Sequence, residues 1–384
     1  MKRIMIMIVL LLLAGCWDQR ELMERAFILG AAIDETEEQL ELTVQLYRPT
    51  KVGPEGGESD REPATFTVES KSISEGARNL VNYFGRRGNW SHMQIIVIGE
   101  ETARDRHFND ILAFFYREQE PRATTNLVIG KGKGRDYLEI EPLFDFSSSR
   151  QLRELQKISH DEAGNTLDTT LHELSLQLQS QLEVALVPLV KKEVEETIET
   201  ASLIGVAVLQ NGLMVDELNG TQTQHVLVLR EQFERGVWKI PCKHEEQEAM
   251  IESDNIDLIK TNTRVSPTIE GEQLLVDVVI ELDAMIRELM CETVLETDEE
   301  INAYSRKIEE TVKTDLEKTI KELKEKKIDV LNLGNEIYKN NPDQWDEVKG
   351  DWDEYFGNAQ FSFNINVRVV GSGLVDFKPF MEAD

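Results

Sequence analysis

Two stretches near the start decide the fold: Ala26-Phe27-Ile28-Leu29-Gly30-Ala31-Ala32-Ile33, ended by Asp34, and Leu40-Glu41-Leu42-Thr43-Val44-Gln45-Leu46-Tyr47. The first is an unbroken apolar run. The second alternates, with Leu40, Leu42, Val44 and Leu46 on one face. Joined by polar residues 35–39, they read as a β-hairpin. Hairpins mixed with single helices argue for an α+β fold with a mixed sheet and against a doubly wound parallel one.

Working outward, residues 49–63 hold three prolines and three glycines and read as a surface loop. Residues 64–69 read as a short strand. Ser72-Ile73-Ser74-Glu75 has the form of a capping box, with Ala77, Leu80, Val81 and Phe84 at helical spacing behind it and Gly85 to stop it. Residues 95–98 and 126–129 are buried strands, and 108–116 is a helix with Ile111, Leu112 and Phe115 inward. Gly130-Lys131-Gly132-Lys133-Gly134 invites a phosphate-loop reading but lacks the Gly-Lys-Ser/Thr end. A strand-to-helix turn fits it better. Asp168 or Thr170 can cap a helix through Leu171, Leu174, Leu178 and Leu182. Residues 184–190, with Pro188 inside, read as an edge strand or a linker.

Residues 193–199 read as an acidic connector. Residues 203–209 and 226–229 read as strands, with Asn211-Gly212 as a tight turn. Residues 274–282 alternate as a half-buried strand. Thr297-Asp298-Glu299-Glu300 opens the longest helix, with Tyr304, Ile308, Val312, Leu316, Ile320 and Leu323 on one face; packing on its own sheet is favoured over docking to a partner. Phe361, Phe363, Ile365, Val367 and Val369 alternate as a long strand with one buried face. The expected organisation is three domains with mixed or antiparallel sheets packed by helices. These are an N-terminal α+β domain over 16–195, a small β-rich middle domain over 196–245, and a C-terminal α+β domain over 246–384.

The N-terminus sets the location. Lys2 and Arg3, then an apolar run over 4–13, then Leu13-Ala14-Gly15-Cys16, have the order of an export signal. Ten residues span about 15 Å of helix, half a bilayer core, so the run is too short to cross. The ending looks like a bacterial lipobox. Residues 1–15 are then a removed signal peptide, and Cys16 is the lipid attachment site, bearing a diacylglyceryl anchor. The net charge of −30 makes nucleic acid an unlikely partner. Cys242 and Cys291 could form one disulfide or stay as two buried thiols, and Cys242-Lys243-His244 lacks further ligands at zinc spacing. There is no Gly-x-Ser-x-Gly, His-Glu-x-x-His or Cys-x-x-Cys, and the six histidines are scattered. No catalytic, metal or cofactor-binding residue is expected, and no enzyme.

The motifs resemble the spore germinant receptor C-subunit lipoproteins, the Ger(x)C family. The resemblance is carried by Gly15-Cys16-Trp17-Asp18-Gln19-Arg20-Glu21-Leu22, by Gly30 to Asp34, by Gln94-Ile95-Ile96-Val97-Ile98-Gly99-Glu100 and by Tyr116-Arg117-Glu118. It continues in Ile328-Asp329-Val330, Leu333-Gly334, Trp345, Trp352, Phe356 and the strand up to Gly371. Ser91 stands where this family is expected to have Gly. The resemblance implies a non-catalytic subunit on the outer face of the inner spore membrane, assembled with A and B membrane subunits, in a complex that senses nutrients and triggers germination. A substrate-binding lipoprotein of a membrane transporter is the alternative; it would show two doubly wound lobes. A wall-active hydrolase would need a carboxylate pair or a metal site in a cleft.

Overall fold

The hairpin forms as expected. In the computed structural model, which describes residues 24–48, 51–52, 58–59, 62–118, 120–242, 253–291 and 295–371, β1 (Arg25–Glu35) and β2 (Leu40–Leu46) pair antiparallel, Ile33 opposite Leu42. Thr36 closes the turn, its amide donating to Gln39 O at 2.8 Å. In the following loop β3 (Lys51–Val52) and β4 (Glu58–Ser59) form a two-residue ladder, and β5 (Ala64–Ser70) then adds antiparallel to β2. On the other side of β1 the sheet turns parallel. The short β6 (Arg87–Asn89) pairs with its first residues, and β7 (Ile95–Gly99), β8 (Asn126–Gly130) and β9 (Val184–Glu195) follow in order. Antiparallel β10 (Ile198–Gln210) and β11 (Leu213–Asn219) complete a nine-stranded mixed sheet.

Both faces are covered, which is why the central strands are apolar without alternation. Ile96 and Ile98 face one core with α1 (Ile73–Asn79), α2 (Glu100–Asp105), α3 (Phe108–Arg117) and, later in the chain, a helix through Leu171 and Leu174. Ile95 and Val97 face the other, with Tyr137 of α4 (Arg135–Glu139) and Leu152 of α5 (Ser148–Ile158). The Leu171 helix, α6 (Leu171–Leu178), has the full capping box between Thr170 and Glu173. It stops at Leu178, so Leu182 lies beyond it.

Several expectations change here. The stretch 184–190 is an interior strand, neither edge nor linker: β9 has β8 on one side and β10 on the other. Pro188 is tolerated because pairing to β8 starts one residue later, at Leu189. The acidic stretch 193–199 is the tip of the β9–β10 ladder, whose register runs from Ile198↔Glu195 to Gln210↔Val184. Residues 226–229 are helical. They end α7 (Gly220–Leu229), which Asn219 caps reciprocally with Gln222. Every residue from Thr223 to Leu229 is buried, so no polar face marks a helical period, and Val-Leu-Val-Leu mimics a strand. Asn211-Gly212 does make the tight turn, both left-handed at φ 51° and 76°, but into β11.

The described part of the middle stretch, residues 196–242, divides between two sheets. It gives β10 and β11 to the first sheet and β12 (Gly236–Pro241) to a second. That sheet continues antiparallel through β13 (Ser253–Glu270) and β14 (Gln273–Glu288), and β15 (Gln360–Gly371) closes it parallel to β14. The capped helix from Thr297, α8 (Asp298–Lys326), lays Tyr304, Ile308, Val312, Leu316 and Ile320 on this sheet's core. Three shorter helices, α9 (Leu333–Asn340), α10 (Pro342–Val348) and α11 (Trp352–Gly357), complete it. Leu186, Val206, Val208 and Leu218 of the first sheet share that core through α7. The fold is thus α+β, with mixed sheets packed by helices. Cys242 and Cys291, left open between disulfide and thiols, are bonded to each other.

Candidate functional site

Cys16 lies outside the described residues, as do His244 and most of the 49–63 loop.

The first group meets around Asp34. This residue is the last but one of β1 and is buried, and its carboxylate accepts from Gly134 N at 2.7 Å and Arg135 N at 2.9 Å. Those amides open α4 after the Gly-Lys loop. The position that a phosphate would take in a phosphate loop is therefore filled from within. Gly99 is required beside it, since a Cβ there would come within 2.2 Å of Asp34 Oδ1. Burial raises the Asp34 carboxyl above its usual range, outweighing the two amide bonds that lower it. Lys131 is held by Glu100 and Glu217, and Lys133 by Glu41, so neither lysine reaches out for an anion. The stretches Gly30 to Asp34 and Gln94 to Glu100 are adjacent strands of this knot.

The second group meets around Asp329. Fully buried, it accepts from Leu333 N at 3.2 Å, Gly334 N at 2.9 Å and Trp352 Nε1 at 3.2 Å. Trp352 packs edge-on against Trp345 at 5.1 Å, and Trp345 Nε1 donates to Gln181 at 3.2 Å. The C-terminal motif residues thus fasten α9–α11 to each other and to the chain after α6. Both motif groups are packing centres.

A cleft of about 780 Å³ opens between α7 and α8, lined by Asn165, Gln222, His225, Asp315, Lys318 and Thr319 among others. Sequence reasoning missed it because α7 reads as a strand; the signal was the Asn219-x-x-Gln222 cap. His225 stacks on Trp238 at 4.8 Å, and its Nδ1 lies 2.7 Å from Thr319 Oγ1. Trp238 Nε1 donates to Asp315 Oδ2 at 2.8 Å. Burial, then the charge of Lys318, pushes the His225 pKa down to about 4. A hydroxyl beside an imidazole has the form of a nucleophile and base. A base with its pKa lowered to about 4 takes a proton poorly at neutral pH, and the ring is packed on Trp238. The pair is a buried hydrogen bond between α7 and α8.

Cys242, Cys291 and the buried Asp254 bring their sulfur and oxygen atoms within 4.8 Å of one another. With the sulfurs bonded to each other they are not thiolate ligands. Asp254 accepts from Met290 N and Cys291 N, each at 2.8 Å, and from Tyr304 Oη at 3.0 Å, which ties the disulfide end of β14 to α8. Among the described residues no helix is long and apolar enough to cross a membrane.

Comparison with known proteins covers both groups of motif residues. The family description "Spore germination protein N-terminal domain" matches residues 18–192, and "Spore germination B3/ GerAC like, C-terminal" matches 204–373. The gap between them falls within the β9–β10 ladder. Spore germination protein KC of Bacillus subtilis is 22% identical over 97% of this chain and 95% of its own length. Spore germination protein B3 of the same organism is 24% identical, covering 95% and 96%. Among solved structures, the GerBC protein superimposes with a TM-score of 0.58 at 20% identity, covering 89% of this chain and 97% of that one, and so shares the fold. With its N-terminal and C-terminal halves matched in order to the two domain descriptions of these proteins, the chain belongs to the GerAC-like family of spore germination proteins.

Proposed function

We propose that this protein is the lipid-anchored, non-catalytic C subunit of a nutrient germinant receptor. Cys16 carries a diacylglyceryl group on the outer face of the inner spore membrane, and the body assembles there with an A and a B membrane subunit. The observation that carries the reading is the match to spore germination proteins along nearly the whole length of both chains. The lipobox form of Leu13-Ala14-Gly15-Cys16 supports the anchor. Tethering raises the local concentration of the body at the membrane, so weak contacts suffice for assembly. The transporter alternative expects two doubly wound lobes, and a nine-stranded mixed sheet with antiparallel flanks does not fit them. Replacing Cys16 by Ala in the spore tests the proposal. Loss of the protein from the membrane fraction with impaired nutrient germination is expected; full retention and normal germination would refute it.

A further inference from the structure

The loop between α4 and α5 carries Leu143, Phe144, Asp145 and Phe146. Phe144 is 94% exposed, and Leu143 and Phe146 are exposed beside it. Tyr47, just past β2, is exposed too and meets Phe146 edge-on at 6.3 Å. Scattered apolar residues on a surface need no account, but a cluster on one projection does.

The loop is braced from below. Gln45, buried on β2, closes its base. Its Nε2 donates to Leu138 O at 2.9 Å and Ser148 Oγ at 2.6 Å, and its Oε1 accepts from Ser149 N at 3.1 Å and Ser149 Oγ at 2.7 Å. Gln151 accepts from the amides of Leu143 and Phe144. Arg150 pairs with Asp145 at 3.0 Å, so the acid between the aromatic rings is met by a cation. Two of the loop amides are thus satisfied within the chain, and the apolar side chains are left facing water.

Its place matters as much as its composition. Tyr47 N donates to Phe27 O at 2.9 Å, two residues into β1. Cys16 precedes Arg25 by nine residues, which at full extension reach at most about 32 Å. Whatever holds Cys16 therefore lies within that distance of the strand end beside the loop.

We infer that Leu143, Phe144 and Phe146, with Tyr47 at their base, enter the interfacial region of the lipid bilayer and fix how the tethered body stands on it. The inference rests on lipidation at Cys16. Four side chains fall well short of the roughly 1,000 Å² expected of a specific protein interface. A surface already held nearby by a tether needs far less, and aromatic and aliphatic side chains suit the headgroup boundary.

The test uses the mature body tethered through an N-terminal histidine tag to a chelating lipid, which reads the loop independently of Cys16. Phe144→Cys is labelled with an environment-sensitive fluorophore in vesicles of phosphatidylethanolamine and phosphatidylglycerol carrying some brominated acyl chains. Val215→Cys, on the far edge strand of the same sheet, is the control. Quenching at 144 at least about twofold that at 215, lowered by adding Phe146→Ser, is expected. Equal quenching at the two sites overturns the proposal. So does protection at 144 that needs co-reconstituted membrane subunits, which would make the loop a protein contact. The mass of the native N-terminal peptide reports the anchor separately: an acylated Cys16 with an unquenched loop leaves the anchor standing and the inference refuted.

Discussion

Asp34 shows how a single side chain replaces a ligand. Its two oxygens occupy the backbone amides that open α4. Asp34→Ala leaves both without that acceptor, at about 1–3 kcal/mol for each buried donor. A loss of about 2–6 kcal/mol in urea unfolding is expected; a loss within experimental error would mean that water replaces the carboxylate. His225 gives a pH signature. Its folded pKa is near 4 against 6.5 unfolded, so the unfolded chain binds the extra proton. Its contribution is fully present above pH 6.5 and is lost as pH falls toward 4, about 3 kcal/mol in all. The stability difference between the protein and His225→Gln, followed by denaturant titration from pH 7.5 to 4.5 (a range chosen to be about that window), is therefore expected to shrink on acidification. A constant difference would contradict the buried, neutral imidazole.

At the scale of elements, the disulfide is the clearest lever. It closes a loop of 49 residues between the end of β12 and the end of β14, worth about 4 kcal/mol in chain entropy. Reduction is expected to lower the melting temperature and to loosen β12 and the start of β13, read by hydrogen exchange; unchanged protection there would contradict it. Elements with their own period were legible in the sequence. The β1–β2 hairpin, the Thr297 box with its apolar stripe and the 274–282 strand all form as read. Elements whose character comes from their neighbours were not. Helix α7 is buried all round, β9 is interior despite Pro188, and β13 has its apolar anchors at Ile256 and Leu258 followed by a mostly polar stretch in which Thr263 is buried. The Gly-Lys loop was read correctly as a turn, but Asp34, its partner 100 residues away, carries no local signal. Nor did the loop at Leu143–Phe146 stand out, because exposure of an aromatic residue is a property of the fold.

For the whole molecule, charge and anchoring pull in opposite directions. The full chain's net charge of −30 opposes binding to anionic headgroups, so the proposed membrane location rests on the lipid anchor, apolar contact and the membrane subunits rather than on a basic patch. Retention of that kind is insensitive to salt, unlike a basic patch. The two sheets share one apolar core through α7, so the proposed tether at the N-terminus would position both halves together. The most direct test of the account is mass spectrometry of the N-terminal peptide of the protein isolated from spore membranes. The account predicts that it begins at Cys16 and bears a diacylglyceryl thioether. A peptide that begins elsewhere, or an unmodified Cys16, would contradict it.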